Sequence, residues 1–199
     1  MEIEIGGRLE EYACRLPEGT PLTAKDLLHM GTRAAVDQSL SRLARRGVLM
    51  RAGRGIYVRP TQSRFGARPP AAEILVAALA SRRGERVAPH GAAAANQLGM
   101  TTQVPVREVY LTTGRARTLQ LGAQVIELRH APSWQLALGG RPAGAAIRAL
   151  AWLGPEQAGE AIRVLRAKLP PEERQAMLDT RSVLPAWMAQ AVSALAVDV

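Results

Sequence analysis

Residues 31–60, GTRAAVDQSLSRLARRGVLMRAGRGIYVRP, constrain this chain more than any other stretch. A segment with helical spacing runs straight into two short β-rich segments. Val36, Leu40 and Leu43 recur at i, i+4 and i+7, which makes one apolar stripe on a helix reaching about Arg46. Thr32 is placed to cap its first turn, and Gly47 stands where helices end on glycine. Segments 48–51 and 56–59 are β-rich, and the loop 52–55, Ala-Gly-Arg-Gly, joins them as a hairpin. Upstream, Thr23-Ala-Lys-Asp26 has the spacing of a capping box, with Asp where Glu is usual, and opens a helix through His29. Residues 3–16 read as a further helix ending before Pro17, and Leu22 as a short strand. Helix, helix, helix, hairpin is the order of a winged helix-turn-helix.

Charge gives this outline a partner. Seven arginines (Arg33, Arg42, Arg45, Arg46, Arg51, Arg54 and Arg59) face one carboxylate, Asp37. Residues 31–68 carry nine arginines and one Asp, a net of +8, so of the total formal charge of +9 only +1 falls on the rest of the chain. A GC-rich coding composition explains part of the arginine excess, since Lys25 and Lys168 are the only lysines. It does not explain the concentration in one segment. A concentrated positive stripe attracts a polyanion, and a helix followed by a hairpin gives it a shape that fits duplex DNA. The candidate DNA-binding residues are Thr32, Arg33, Gln38, Ser41 and Arg42 on the helix, Arg45 and Arg46 at its end, and Arg51 and Arg54 on the hairpin. Ala34 faces outward with them. Arg reads guanine and Gln reads adenine through paired hydrogen bonds in the major groove. Hairpin arginines meet phosphates or a minor groove. The plainer reading is a solvated basic helix, or a winged helix used for protein contacts.

Beyond residue 60 the pattern is mixed. Residues 60–70, PTQSRFGARPP, read as a linker. Residues 71–81 form a helix with Ile74, Leu75, Ala78 and Leu79 on its apolar side. A short strand at 87–89 and an Ala-rich helix at 91–98 follow, with His90 as a polar group at the helix start. Segments 106–113, 118–121 and 124–129 are β-rich and fit a small antiparallel sheet. From residue 144 the spacing is helical, with Ala158, Ile162, Leu165 and Leu169 in one stripe and Pro171 and Pro185 where first turns tolerate proline. The expected fold class is α+β: a winged helix-turn-helix at 1–60, a linker at 61–70, and a small mixed α/β domain with a helical C-terminal tail at 71–199.

Other chemistries find little support. The single cysteine, Cys14, excludes an internal disulfide and a Cys-rich zinc site. Lying in a helix beside Ala13, it reads as a small core residue. His29, His90 and His130 lack metal-ligand spacing. There is no Gly-x-Ser-x-Gly, and Gly139-Gly140-Arg141 lacks the Lys-Ser/Thr ending of a phosphate loop. Glu73, Glu85, Glu108 and Glu127 are the only carboxylates in 71–131. Glu127-Leu-Arg129 resembles a nuclease strand with arginine in place of lysine, but four isolated glutamates make an incomplete metal set. No catalytic residue, metal or cofactor is expected. The chain opens Met-Glu-Ile-Glu without signal-peptide features, and no apolar run approaches the roughly 18 residues of a membrane span. A cytoplasmic protein without membrane contact is expected.

Two blocks carry a resemblance. Residues 43–60, with Arg54-Gly55-Ile56-Tyr57 at the second hairpin strand, resemble the wing of AbiEi-family antitoxins. Residues 91–96 (Gly-Ala-Ala-Ala-Ala-Asn), Leu98-Gly99, 103–105 (Gln-Val-Pro), 109–112 (Val-Tyr-Leu-Thr) and Gly114-Arg115 resemble the companion region of the short members, in the same order. The resemblance covers most of residues 20–131, and the helical tail fits in general character only. It implies the antitoxin of a type IV toxin–antitoxin pair active in phage defence. Such a protein binds inverted repeats in its own promoter as an autorepressor, and an inverted repeat has room for two copies, a homodimer on the DNA. Its functional partner is an AbiEii-like nucleotidyltransferase toxin, with no direct contact required. The chain is shorter than the better-known members, which bears on antitoxicity more than on DNA binding. Two other classes are a ligand-responsive winged-helix transcription regulator outside any toxin–antitoxin system, and a metal-dependent DNA nuclease.

Overall fold

The apolar stripe of residues 36–43 becomes the buried side of a helix, α2 (Arg33–Arg45), in the computed structural model, which describes residues 2–64 and 66–196. Val36, Leu40 and Leu43 are at most 2% exposed, and Ser39 is buried with them. Thr32 caps the helix, its hydroxyl accepting the Ala35 N–H at 3.4 Å. The chain leaves through Gly47 at φ +76°, a region that costs residues with a Cβ. A preceding helix, α1 (Glu2–Arg15), packs Leu9 and Ala13 into the same core. Its Cys14 is exposed. The core expectation for this residue fails because Leu9 and Ala13, four apart, define the buried stripe, and position 14 lies a further 100° round the helix.

Between these helices lie β1 (Pro21–Leu22) and a single 3₁₀ turn, Ala24–Leu27, shorter than the helix expected through His29. The three-residue pitch stacks Ala24 and Leu27 on one buried face, whereas Leu28 is 46% exposed. Asp26 fills the capping role read from the sequence: its carboxylate accepts the Thr23 N–H and hydroxyl, each at 2.8 Å, and pairs with Arg82. Burial opposes the Asp26 charge. The bonds from Arg82 and Thr23 outweigh that and hold its pKa below the usual carboxylate value.

The hairpin consists of β2 (Met50–Gly53) and β3 (Ile56–Val58), turning at Arg54 and Gly55, with Gly55 at φ +69°. A register shift between Arg51 and Gly53 puts a bulge in β2. β1 adds to the far edge of β3, giving the order β1-β3-β2. Residues 61–70 are not a plain linker. They contain a second hairpin, β4 (Thr61–Ser63) paired with β5 (Gly66–Arg68). Its polar, glycine-containing composition reads like a linker because nearly every side chain faces solvent. The next helix, α3 (Ala72–Ser81), buries Leu75, Val76, Leu79 and Ala80. Ile74, expected on this stripe, is 53% exposed. The buried row is 72, 75, 76 and 79, which turns position 74 outward.

Two compact units result: Met1–Gly84 with Thr118–Ile126, and the remainder, Glu85–Arg117 with Glu127–Val199. The later strands are β6 (Val87–Pro89), β7 (Glu108–Thr112), β8 (Arg117–Leu121) and β9 (Gln124–His130), in the sheet order β6-β7-β9-β8. Helix α4 (Gly91–Gln97) follows β6, and its first residue admits no side chain. A Cβ on Gly91 would lie 2.2 Å from the Arg148 carbonyl oxygen.

The tail is helical: α5 (Pro142–Leu153), α6 (Ala158–Lys168), α7 (Pro171–Asp179) and α8 (Ala186–Ser193). Ile147, Leu150, Ile162, Leu165, Met177 and Met188 fill its core. Glu173 of α7 caps the start of α5, accepting the Ala143 N–H at 2.8 Å and Arg141 Nη2 at 3.0 Å. Arg148 of α5 is 2% exposed and donates to the Gly139 carbonyl at 2.9 Å; burial lowers its pKa to about 10. The class is therefore mixed α+β with a C-terminal helical tail. Among the described residues no helix is long and apolar enough to cross a membrane.

Candidate nucleic-acid interface

Burying Val36, Leu40 and Leu43 forces a second row of α2 outward. At 3.6 residues per turn, Ala34, Gln38, Ser41 and Arg45 fall opposite the buried stripe. Ala34, Gln38 and Arg45 are exposed, and so is Arg42 beside them. Ser41 is half-buried because its hydroxyl lies 3.2 Å from the Tyr57 hydroxyl. Tyr57, on β3, is 3% exposed. The same phenolic oxygen accepts Arg51 Nη2 at 3.0 Å, and the Arg51 guanidinium carbon stands 5.5 Å from the ring centroid. That hydrogen bond raises the Arg51 pKa further. One tyrosine oxygen thus joins the outward face of the helix to the hairpin. Arg54, at the hairpin turn, is exposed.

The remaining sequence-predicted residues lie at the margins of this face. Thr32 is exposed, and its hydroxyl accepts the Ala35 N–H at the helix start. Arg33 Nε donates to Asp37 one turn on, at 2.8 Å. Arg46 turns to the α1 side, where both terminal nitrogens reach Glu10 at 2.9 and 3.3 Å. The structure links Ser41 to Arg51 through Tyr57, leaves Gln38, Arg42 and Arg45 exposed on the same helix, and puts Arg51 and Arg54 on one groove wall, whereas Arg46 pairs with Glu10. Sequence reasoning did not place Tyr57 among the site residues. Its signal was a tyrosine on the inward phase of a strand whose hydroxyl needed a partner.

A groove of about 870 Å³ opens along the end of α2, the β2–β3 hairpin and the β8–β9 turn. Ala44, Gly47, Met50, Arg51, Arg54 and Gln120 are among its walls. Glycine on a groove wall lets a backbone come close.

The other candidate residues have local roles. Glu85 pairs with Arg117 at 2.6 Å, and Glu127 with Arg129 at 2.6 Å and Arg107 at 3.1 Å. The Arg129 bond holds the Glu127 carboxyl below its ordinary pKa. Glu108 accepts the Tyr110 hydroxyl at 3.0 Å, and Glu73 is exposed. His29 stands edge-on to Tyr12, His90 accepts the Ala92 N–H, and His130 Nδ1 lies 2.9 Å from the Gly114 carbonyl oxygen. Among the described residues, no group of three or more His, Cys, Asp or Glu could hold a metal ion.

No curated protein and no solved structure matches the chain. A family described as DUF6088, a family of unknown function, matches residues 8–174. With most of its length matched, the chain belongs to the DUF6088 family.

Proposed function

We propose that this protein is a non-enzymatic, sequence-specific binder of duplex DNA that represses its own promoter. In this reading, residues 1–60 work as a winged helix-turn-helix. The outward row of α2 reads bases in the major groove, and the β2–β3 hairpin is the wing. The supporting observation is the joined surface of α2 and the hairpin. Ser41 of α2 and Arg51 of the hairpin meet at the Tyr57 hydroxyl, and Gln38, Arg42, Arg45 and Arg54 are exposed. A side chain linked this way is held ready before DNA arrives, which cuts the ordering cost of binding.

The resemblance to AbiEi antitoxins extends the proposal. The operon is a type IV toxin–antitoxin pair, the operator is an inverted repeat occupied by two copies, and the functional partner is an AbiEii-like nucleotidyltransferase toxin. Repression then follows from occlusion of the promoter.

The test is binding to the protein's own upstream DNA against a random duplex, at one fixed near-physiological salt. A preference of about 10³ or more is the order expected of a specific reader. Arg42→Ala should narrow that gap by roughly 1–3 kcal/mol. Arg54→Ala should weaken both duplexes alike and flatten the salt slope by about one. Equal, salt-labile binding of the parent to both duplexes defeats the repressor reading.

A further inference from the structure

From residue 38 to residue 72 the chain carries no Asp or Glu and eight arginines. Two of these, Arg64 and Arg68, belong to the second hairpin rather than to the wing. Among the described residues of the β4–β5 ribbon none is buried: Thr61 is half-covered, and the others are exposed. Two-stranded ribbons bury too little surface to hold themselves in water. This one is fixed at its base and across its tip. Pro60 and Pro70 are buried at its two ends. The Glu18 carboxylate accepts the Gln62 N–H at 3.3 Å, and the Ser63 hydroxyl donates to the Gly66 carbonyl at 2.8 Å. The result is an arm anchored at its root and solvated along its length.

The described residues of its faces suit a polyanion. The register sets Thr61 opposite Arg68, Gln62 opposite Ala67 and Ser63 opposite Gly66. Directly opposed residues share a face. Thr61, Ser63 and Arg68 therefore line one side, Gln62 and Ala67 the other, and Arg64 sits in the turn. Hydroxyls, an amide and two guanidinium groups are the donors that phosphate and sugar oxygens accept. Gly66 and Ala67 keep β5 thin, and a two-stranded ribbon fits a DNA groove.

We infer that the β4–β5 ribbon is a second DNA-contacting arm, separate from the wing, in which Arg64 and Arg68 each engage a backbone phosphate. The inference rests on the DNA-binding reading above and adds to it a second contact region on the duplex.

The test uses the full chain. Binding of the parent, Arg64→Ala/Arg68→Ala and Arg54→Ala to promoter and random duplexes is measured over a range of salt, with hydroxyl-radical footprints. The double variant should weaken both duplexes alike. The slope of log K against log salt should fall by about two, at roughly 0.9 per phosphate lost. An outlying patch of protected sugars should disappear while the central footprint stays. Arg64→Lys/Arg68→Lys, which keeps the charge, should restore the slope, and this also separates contact from misfolding. A double Ala variant with the parent's slope and footprint overturns the ribbon alone, provided the parent binds and Arg54→Ala is impaired. A Lys pair that fails to restore the slope overturns it too. A parent that binds no duplex overturns the DNA-binding reading itself, and the ribbon with it.

Discussion

Tyr57 does two jobs with one oxygen. Its ring is core, and its hydroxyl meets Ser41 on one side and Arg51 on the other. Removing only the hydroxyl separates these jobs. Tyr57→Phe should cost about 0.5–1.5 kcal/mol of stability, the worth of an ordinary hydrogen bond. If the DNA reading holds, its affinity for the promoter should drop several-fold more than that of a surface control such as Gln175→Ala, because Arg51 and Ser41 lose their common tether. Denaturant melts and a binding titration on the same preparation read both effects. Unchanged affinity would reduce the bridge to a packing feature. At this scale the sequence discloses residue types and near neighbours. The Arg33–Asp37 pair, four apart on a helix, follows from spacing. The Arg46–Glu10 pair does not. Thirty-six residues separate the partners, and only the crossing of α1 over α2 brings them together.

At the scale of elements, α4 shows how a cap can carry a pH dependence. His90 is the residue before the helix, and its Nδ1 accepts the Ala92 N–H, which requires a neutral ring. Burial, and after it the charge of Arg129, disfavours protonation and holds the His90 pKa below its ordinary value. The unfolded chain takes up this proton near pH 6.5, while the folded chain does not. Stability from this source is therefore complete above about pH 6.5 and declines as the pH falls toward the lowered folded pKa. His90→Asn keeps a capping acceptor and removes the titration. Its denaturation midpoint should shift less than the parent's between pH 7.5 and 5.5. Equal shifts would mean the acid sensitivity comes from another group. Helices α2, α3 and α4 were legible because their apolar periodicity or caps are local. Two things were not. Among its described residues the β4–β5 ribbon shows no apolar face to betray strand alternation, so the segment resembles a linker. The phase of α3 is ambiguous in sequence at Ile74, because several adjacent apolar residues fit more than one stripe.

The whole molecule divides in a way that composition does not announce. Residues 118–126 group with the first unit although 33 residues of the second precede them. Leu119, Leu121 and Ile126 in this stretch are at most 2% exposed. Burial of each such side chain is worth about 1.5–3 kcal/mol, against a domain stability of about 5–15 kcal/mol. A fragment of residues 1–84 should therefore lack a cooperative thermal transition, whereas the intact chain should show one. A sharp melt in the fragment would mean that the hairpin 118–126 adds little to the unit. A boundary drawn at residue 60 or 70 follows the change in residue character along the chain, but it has no access to a segment that returns later.

That return has a consequence for the order in which the protein is made. The polypeptide passes between the two units three times, at 84–85, 117–118 and 126–127. At roughly 5–20 residues per second of synthesis, the last piece of the first unit leaves the ribosome seconds after the other 84 residues. During that interval the nascent hairpin stands without Leu119, which lies beside Gly53. The arginine-rich segment then carries its charge before its packing is complete, and its maturation waits on a strand pair that arrives inside the next unit.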